Sequence, residues 1–330
     1  MSSRTLSIGG LTYDLFVQVE HDVAKDAQGR NMLQLPLGEK VRIQSVTATC
    51  GGGAANTSVG LRRLGCTSGC CGVVGNDEWG SDIIKTFENE RVDRCGLTIV
   101  EGEPTSFSII MIAETGERVI LNTPGTNTHL QDVTFDREAA MNADWVYLNH
   151  MQRVSCAIDD DMVTLLQSAA PPHLTWNPGG CQIEEGIHAK NIAALLTHTD
   201  LMLLNKEEAL AFTRTHTIDE ALKTLFTAGC TVACITDGAH GSYAADGKHR
   251  YHCEVLHDPV VDTTGAGDAF GSGMTWALLS GLDLPTALRA GTINAMSVVG
   301  AIGAQKGLLT ETQMQSKIAG SEPTVTATSF

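Results

Sequence analysis

The stretch Val260 to Gly273, reading V-V-D-T-T-G-A-G-D-A-F-G-S-G, constrains this chain more than any other. Val260 and Val261 read as the end of a buried strand, Gly265-Ala266-Gly267 as a tight turn, and Asp268 as the opening of an apolar helix to about Leu279. Glycine lets a backbone come close to a ligand and take positive φ. The first amides of the helix that follows face outward with the positive end of its dipole, which makes an anion site. A carboxylate at that helix start is placed to take a proton beside the bound anion. An anion cradle with its own base is the equipment of phosphoryl transfer. An acidic cap after a glycine turn is the plainer alternative, but D-T-T-G-A-G-D is more constrained than a cap requires.

Two other glycine motifs are excluded. The chain has no G-x-x-x-x-G-K-[ST] string, so it carries no Walker A loop. Gly265 and Gly267 are followed by Phe270 where a dinucleotide fingerprint needs its third glycine.

The string resembles the second signature of the PfkB, or ribokinase-like, family of carbohydrate and nucleoside kinases. The resemblance implies an α/β fold: a three-layer α/β/α sandwich with a mostly parallel central sheet and a small β-sheet lid. It implies Asp268 as the base toward the acceptor hydroxyl and Gly265, Ala266 and Gly267 as the anion hole. ATP and Mg²⁺ are the implied cofactors. Asp262 and Thr264 match positions that bind a monovalent cation in many relatives, so K⁺ is a further expectation.

The rest of the chain is similar to the same family in the same order. Thr5 to Ile8 reads as a first strand ending at Gly9, and Asp14 beyond it completes a G-x-x-x-x-D pattern. A carboxylate there can accept two hydroxyl hydrogen bonds, although a solvent-facing loop acid would carry the same letter. Gly51-Gly52-Gly53-Ala54-Ala55-Asn56 leads into an apolar helix through Leu64. It matches the first family signature, implying Gly52, Gly53 and Asn56 as acceptor contacts; a flexible connector is the other reading. Alternating stretches at Val41–Val46, Thr105–Ala113 and Arg118–Leu121, the last two joined by a turn at residues 114–117, predict a separate small sheet. The resemblance makes it a lid, with strands within about 14–50 and 105–122, and in several relatives a dimer contact. The segment 22–37 is longer than a lid loop needs.

Leu201 to Asn205 reads as a strand entering a helix, and Asn205-Lys206-Glu207-Glu208 sets Asn205 and Glu208 on one side of its start. The family places this N-x-x-E motif beside the phosphates, implying Glu208 as a Mg²⁺ contact through water and Asn205 as a nucleotide-side residue. A capping box explains the same letters in part. Thr236-Asp237-Gly238-Ala239-His240-Gly241 resembles the family's phosphate-side turn, implying Thr236, Gly238 and Gly241 at the nucleotide, with Asp237 where a cation is often found. Asn294, on a helix from about Pro285 to Val299, falls where the family encloses adenine. His150 and Met151 stand where many sugar kinases carry an acid, a departure from ribokinase itself. The resemblance makes residues 1–310 the kinase domain. Residues 311–330 are polar and read as a frayed tail.

Composition limits the partners. A net charge of −16 argues against nucleic acid or an anionic membrane. Ten cysteines without C-x-x-C spacing read as reduced and buried. With no apolar signal core or spanning run, the expectation is a cytoplasmic protein acting on a small sugar or nucleoside, with a homodimer through the lid implied by resemblance.

Overall fold

Odd and even residues of the central strands part to opposite faces, as a twofold period requires. Leu6, Ile8, Val146, Leu148, Met202 and Leu204 face one apolar layer, whereas Trp145, Tyr147, Leu201 and Leu203 face another. Burial on both faces demands helices on both faces, and that is the observed architecture. The computed structural model describes residues 2–330 apart from 20–22, 27, 28, 30, 114–117, 132–136, 152–156, 257, 258 and 321.

The main sheet has ten strands. In spatial order they are Val325–Ser329, His249–Cys253, Ser242–Ala245, Val232–Thr236, Leu201–Asn205, His173–Trp176, Trp145–Leu148, Arg4–Ile8, Thr67–Gly75 and Asp93–Val100. The pairs from Val232–Thr236 onward are parallel, and the three pairs before it are antiparallel. From the central strand Arg4–Ile8 the chain winds one way through Thr67–Gly75 and later the other way through Trp145–Leu148. The strand order therefore reverses between Arg4–Ile8 and Trp145–Leu148, and open α/β sheets bind ligands beyond the carboxyl ends of such strands. Gly9 and Asn149 occupy those ends, and the Asn149 amide donates to Ile8 O at 3.1 Å.

A second sheet of four strands runs Ile43–Gly51, Thr12–Val19, Phe107–Ile112 and Arg118–Thr123. This is the small sheet that the alternating pattern predicts; the turn expected at 114–117 lies outside the described residues. Its base is pinned by Asp77, which caps the helix Glu78–Glu90 through the Gly80 amide at 2.7 Å. The same carboxylate accepts from the Thr105 amide at 2.8 Å and the Thr105 hydroxyl at 2.6 Å. Within the long segment 22–37, Val23–Lys25 and Asn31–Leu33 pair as a small hairpin.

Two expectations are corrected here. Residues 311–330 are not a frayed tail: Glu311–Ile318 is a helix with a Thr310 capping box, and Val325–Ser329 pairs with His249–Cys253 as the last strand of the main sheet. Backbone pairing at a sheet edge holds this segment, so its polar side chains carry no sign of it. Nor do Val260 and Val261 end a buried strand. They are 63% and 49% exposed, and the amides of Val261 and Asp262 bond to Val299 O at the end of a helix. Cys50, Cys66, Cys70, Cys71, Cys230, Cys234 and Cys253 are buried.

Candidate functional site

The helix Ala266–Leu279 starts at Gly265, whose φ of 75° is left-handed, and no side chain caps its first turn. A Cβ at Gly265 would run into Ala304, so only glycine fits. The helix opens two residues before Asp268, which therefore lies in its first turn rather than at its start. Farther along, Gly271 lets the helix settle on the buried Tyr147 hydroxyl, and Gly273 lets it meet Ala290 of the next helix, Leu284–Val299.

Asp268 is joined to the first signature. The Asn56 amide nitrogen donates to Asp268 Oδ2 at 2.8 Å, and Gln305 Nε2 donates to Asn56 Oδ1 at 3.1 Å. Asn56 is thus held at both ends of its amide, and its placement fixes the carboxylate. Burial pushes the Asp268 carboxyl up to about 6, with the Asn56 hydrogen bond acting in the opposite direction. Helix Gly53–Arg63, which carries Asn56, begins at Gly52 with φ 89° and again without a side-chain cap. Gly52 lies against Gly10 O and the Leu11 and Thr12 backbone, and Gly53 packs on Asn149.

Asp14 is buried, with its carboxylate laid against Gly51. Burial raises its carboxyl to about 7; the Ser108 hydroxyl opposes this, and repulsion from Asp262 and Asp268 adds to it. The lid register explains the arrangement. Thr49, Asp14, Ser108 and Asn122 are successive cross-strand partners and form one polar row across the sheet. Two residues along, Thr47, Phe16, Ile110 and Ile120 form a second, largely apolar row on the same face. Asn122 Nδ2 donates to Ser108 Oγ at 3.2 Å.

On the other side of the signature helix lies an apolar pocket of about 370 Å³. Thr236, Gly238 and Gly241 line it from the sheet side, Ala266 and Gly267 from the helix start, and Phe270, Met296 and Val299 from the back. Asn294 does not reach it, and that expectation is corrected. Its amide is fully buried, donating to Ala269 O at 2.8 Å and accepting from the Leu309 amide at 3.2 Å, while its neighbours Ala295 and Met296 face the pocket. Asp237 is matched by a cation from elsewhere: Lys206 Nζ lies 3.0 Å from its Oδ2.

Asn205 and Glu208 form a complete capping box on helix Lys206–Thr213. Asn205 Oδ1 accepts from the Glu208 amide at 2.8 Å, and Glu208 Oε2 accepts from the Asn205 amide at 2.9 Å. The box uses one oxygen of each side chain, and the second Glu208 carboxylate oxygen lies outside it. Asp262 is buried, with Oδ1 accepting from the Thr264 amide and hydroxyl at 3.0 and 2.8 Å and Oδ2 from the Gly303 amide at 3.0 Å. Among the described residues no cluster of three or more His, Cys, Asp or Glu could hold a metal by itself. A Mg²⁺ ion here would depend on phosphate oxygens and water, the ordinary habit of that ion.

The geometry adds residues that motif reading did not single out. Gln305 anchors Asn56, Ser108 and Asn122 extend the Asp14 row, and Tyr147 lies beneath the signature helix. For Ser108 the signal was present, since it is the one polar residue of an otherwise apolar strand.

The comparisons with known proteins agree with this architecture. The model of the pfkB family carbohydrate kinases matches residues 19–311. An uncharacterized sugar kinase of Archaeoglobus fulgidus is 27% identical over 253 residues, spanning 76% of this chain and 98% of that protein. Arabidopsis thaliana ribokinase, solved with ribose and ATP, superposes with a TM-score of 0.79 at 20% identity, covering 97% of this chain and 100% of the other. Burkholderia thailandensis nucleoside kinase, solved with inosine, gives 0.75 at 16% identity, covering 95% and 97%.

Proposed function

This chain belongs to the pfkB family of carbohydrate kinases, and from that premise we propose how its residues carry out the reaction. ATP-dependent phosphorylation is the family's general reaction. The acceptor we propose is a sugar or a sugar-like compound, bearing an alcohol that attacks the γ-phosphorus. Asp268 takes the hydroxyl proton as the new O–P bond forms; the bond from phosphorus to the bridging oxygen breaks, and ADP leaves. Peptide donors of Gly265 and Gly267, with the helix dipole behind them, meet the charge on the transferring group, and the Ala266 amide joins them on leaving the Thr263 carbonyl it bonds without ligand. Asp14, Gly52 and Gly53 orient the acceptor, and Asn56 orients Asp268 as well. Such alignment removes much of the entropic barrier.

The nucleotide would occupy the apolar pocket, its base against Phe270 and Met296 and its phosphates toward Gly238, Gly241 and Gly267. Mg²⁺ would come with it and neutralise phosphate charge, and Glu208, with one oxygen outside its cap, fits a contact through water. Asp262 accepts three of the roughly four hydrogen bonds a carboxylate can take. Together with Thr264 it suits a weakly held K⁺. The lid face away from Asp14 exposes Val46, Val119 and Leu121, apolar surface suited to a second copy of the chain. No helix among the described residues is long and apolar enough to cross a membrane, and we place the reaction in the cytoplasm with its ATP.

The observation that carries this proposal is the Asn56–Asp268 hydrogen bond, which joins the two signatures across 212 residues of sequence. A nucleoside acceptor is the second reading, favoured by Ile120, which is half exposed at the end of the apolar row beside the polar one, where a flat base could rest. The test is ADP release from a panel of hexoses, ketoses, ribose and nucleosides, run beside Asp268→Asn. The variant should keep its affinity for ADP and lose turnover by a factor on the order of 10² or more. Near-normal turnover would remove Asp268 as the base.

A further inference from the structure

The free edge of the lid reaches the signature loop through one side chain. Arg118 opens the lid strand Arg118–Thr123, and its Nη1 donates to Thr263 Oγ1 at 2.5 Å while lying 3.9 Å from Asp262 Oδ1. These partners are 145 and 144 residues away in sequence and belong to the other sheet's domain. The register shows why Arg118 is the residue that arrives. It shares a face with Asn122 and Ile120 and pairs with Ile112, so it stands on the lid face that carries Asp14 and Ser108. Four strand steps separate it from Asn122, which is about 14 Å. The polar row thus sits at one end of the covered space and Arg118 at the other.

On the receiving side, Thr263 lines the apolar pocket, and its carbonyl accepts the Ala266 amide at 3.3 Å. Asp262, almost wholly buried, ties the same loop to Gly303. The loop that Arg118 grips is therefore the one from which the anion cradle is built. Arg118 is one-third exposed, so its ion pair with Asp262 is weak by itself. The charge-assisted hydrogen bond to Thr263 is the stronger tie.

We propose that Arg118 is a positioning residue that latches the lid onto the Asp262–Thr264 loop, coupling closure over the acceptor to the geometry of the anion cradle. This rests on the kinase reading above for its catalytic consequence, but the latch itself is a property of the ligand-free protein. A lid held shut excludes water from the transferring phosphoryl group. A lid without its latch opens more often, so water competes with the acceptor for that group, giving inorganic phosphate and ADP in place of phosphorylated acceptor and ADP.

The experiment has two arms on the full chain, comparing the wild type with Arg118→Met, Thr263→Val and the double variant. In the first arm, amide hydrogen exchange is followed without ligand. Arg118→Met should speed exchange in Phe107–Ile112 and Arg118–Thr123 by about tenfold, with His173–Trp176 unchanged; unchanged exchange in the lid strands overturns the latch. In the second arm, ADP released per acceptor phosphorylated should rise severalfold in Arg118→Met, with its ADP affinity held, and no further in the double variant than in Thr263→Val or Arg118→Met alone. Independent, multiplying effects of the two substitutions would contradict the coupling. A fall in ADP affinity that accounts for the whole loss would make Arg118 a phosphate contact instead. Absence of any acceptor turnover in the wild type would count against the kinase reading while leaving the exchange result to decide on the latch.

Discussion

Two helices treat their first-turn amides in opposite ways. Lys206–Thr213 is closed off by its own sequence: Asn205 and Glu208 satisfy each other's backbone in a reciprocal box. Ala266–Leu279 has a left-handed glycine at its cap position and no side chain folded over its first turn. The capped helix gains stability, on the order of 1 kcal/mol. The uncapped one forgoes it and leaves its positive end turned toward the cleft, with a carboxylate two residues inside. Both starts carry acidic residues in the sequence, and their hydrogen bonds differ.

Substitutions can break or sharpen this contrast. The largest effect belongs to Gly265→Ala, which forces a side chain into left-handed backbone and against Ala304. It should destabilise the fold by roughly 3 kcal/mol or more and abolish turnover, measured by denaturant unfolding and ADP release. Asp14→Asn comes next, and its effect depends on pH. The folded carboxyl is raised from 3.8 to about 7. Its burial is therefore free of penalty below about pH 4, becomes costly as pH rises toward 7, and is fully costly above that. Removing the charge should stabilise the protein at pH 8 by about 2–4 kcal/mol, with no gain at pH 4, while acceptor KM rises. Equal stability changes at both values would mean that this carboxyl titrates normally. Smaller still is Asn205→Ala, about 1 kcal/mol from the lost cap. Glu208→Gln should be nearly silent in stability, since Gln also completes a capping box. If Glu208 also holds metal-bound water, the same variant needs several times more Mg²⁺ for half-maximal rate; an unchanged Mg²⁺ requirement leaves it a cap alone.

Much of the fold was legible because parallel strands buried on both faces spell themselves out as short apolar runs. Leu201–Asn205 and Val232–Thr236 appear where those runs predict them. Val260 and Val261 carry the same β-branched signal without any strand, because their amides turn to Val299. The last strand was hidden for the converse reason: Val325–Ser329 is held by backbone pairing with only Val325 against the core, and its exposed Thr and Ser say nothing of it. In the site, each signature was readable by itself, but the bond between Asn56 and Asp268 was not, since no local pattern reports a contact over 212 residues. Asn294 shows the matching limit. A helix period places an amide on a face, yet which neighbour consumes it depends on Ala269 and Leu309, far from it in sequence.

The central claim is that the Asp268 carboxylate, tuned by Asn56, receives the acceptor's proton. The direct measurement is the pH dependence of kcat/KM for the wild type and Asn56→Leu, each also in the Asp14→Asn background so that the second raised carboxyl does not intrude. A required base falls silent when protonated, so the rate should drop below an apparent pKa of about 6. Loss of the Asn56 donor, which holds that value down, should move the acid limb upward. An acid limb in the ordinary carboxylate range, or one that stays fixed when Asn56 is replaced, would contradict the account.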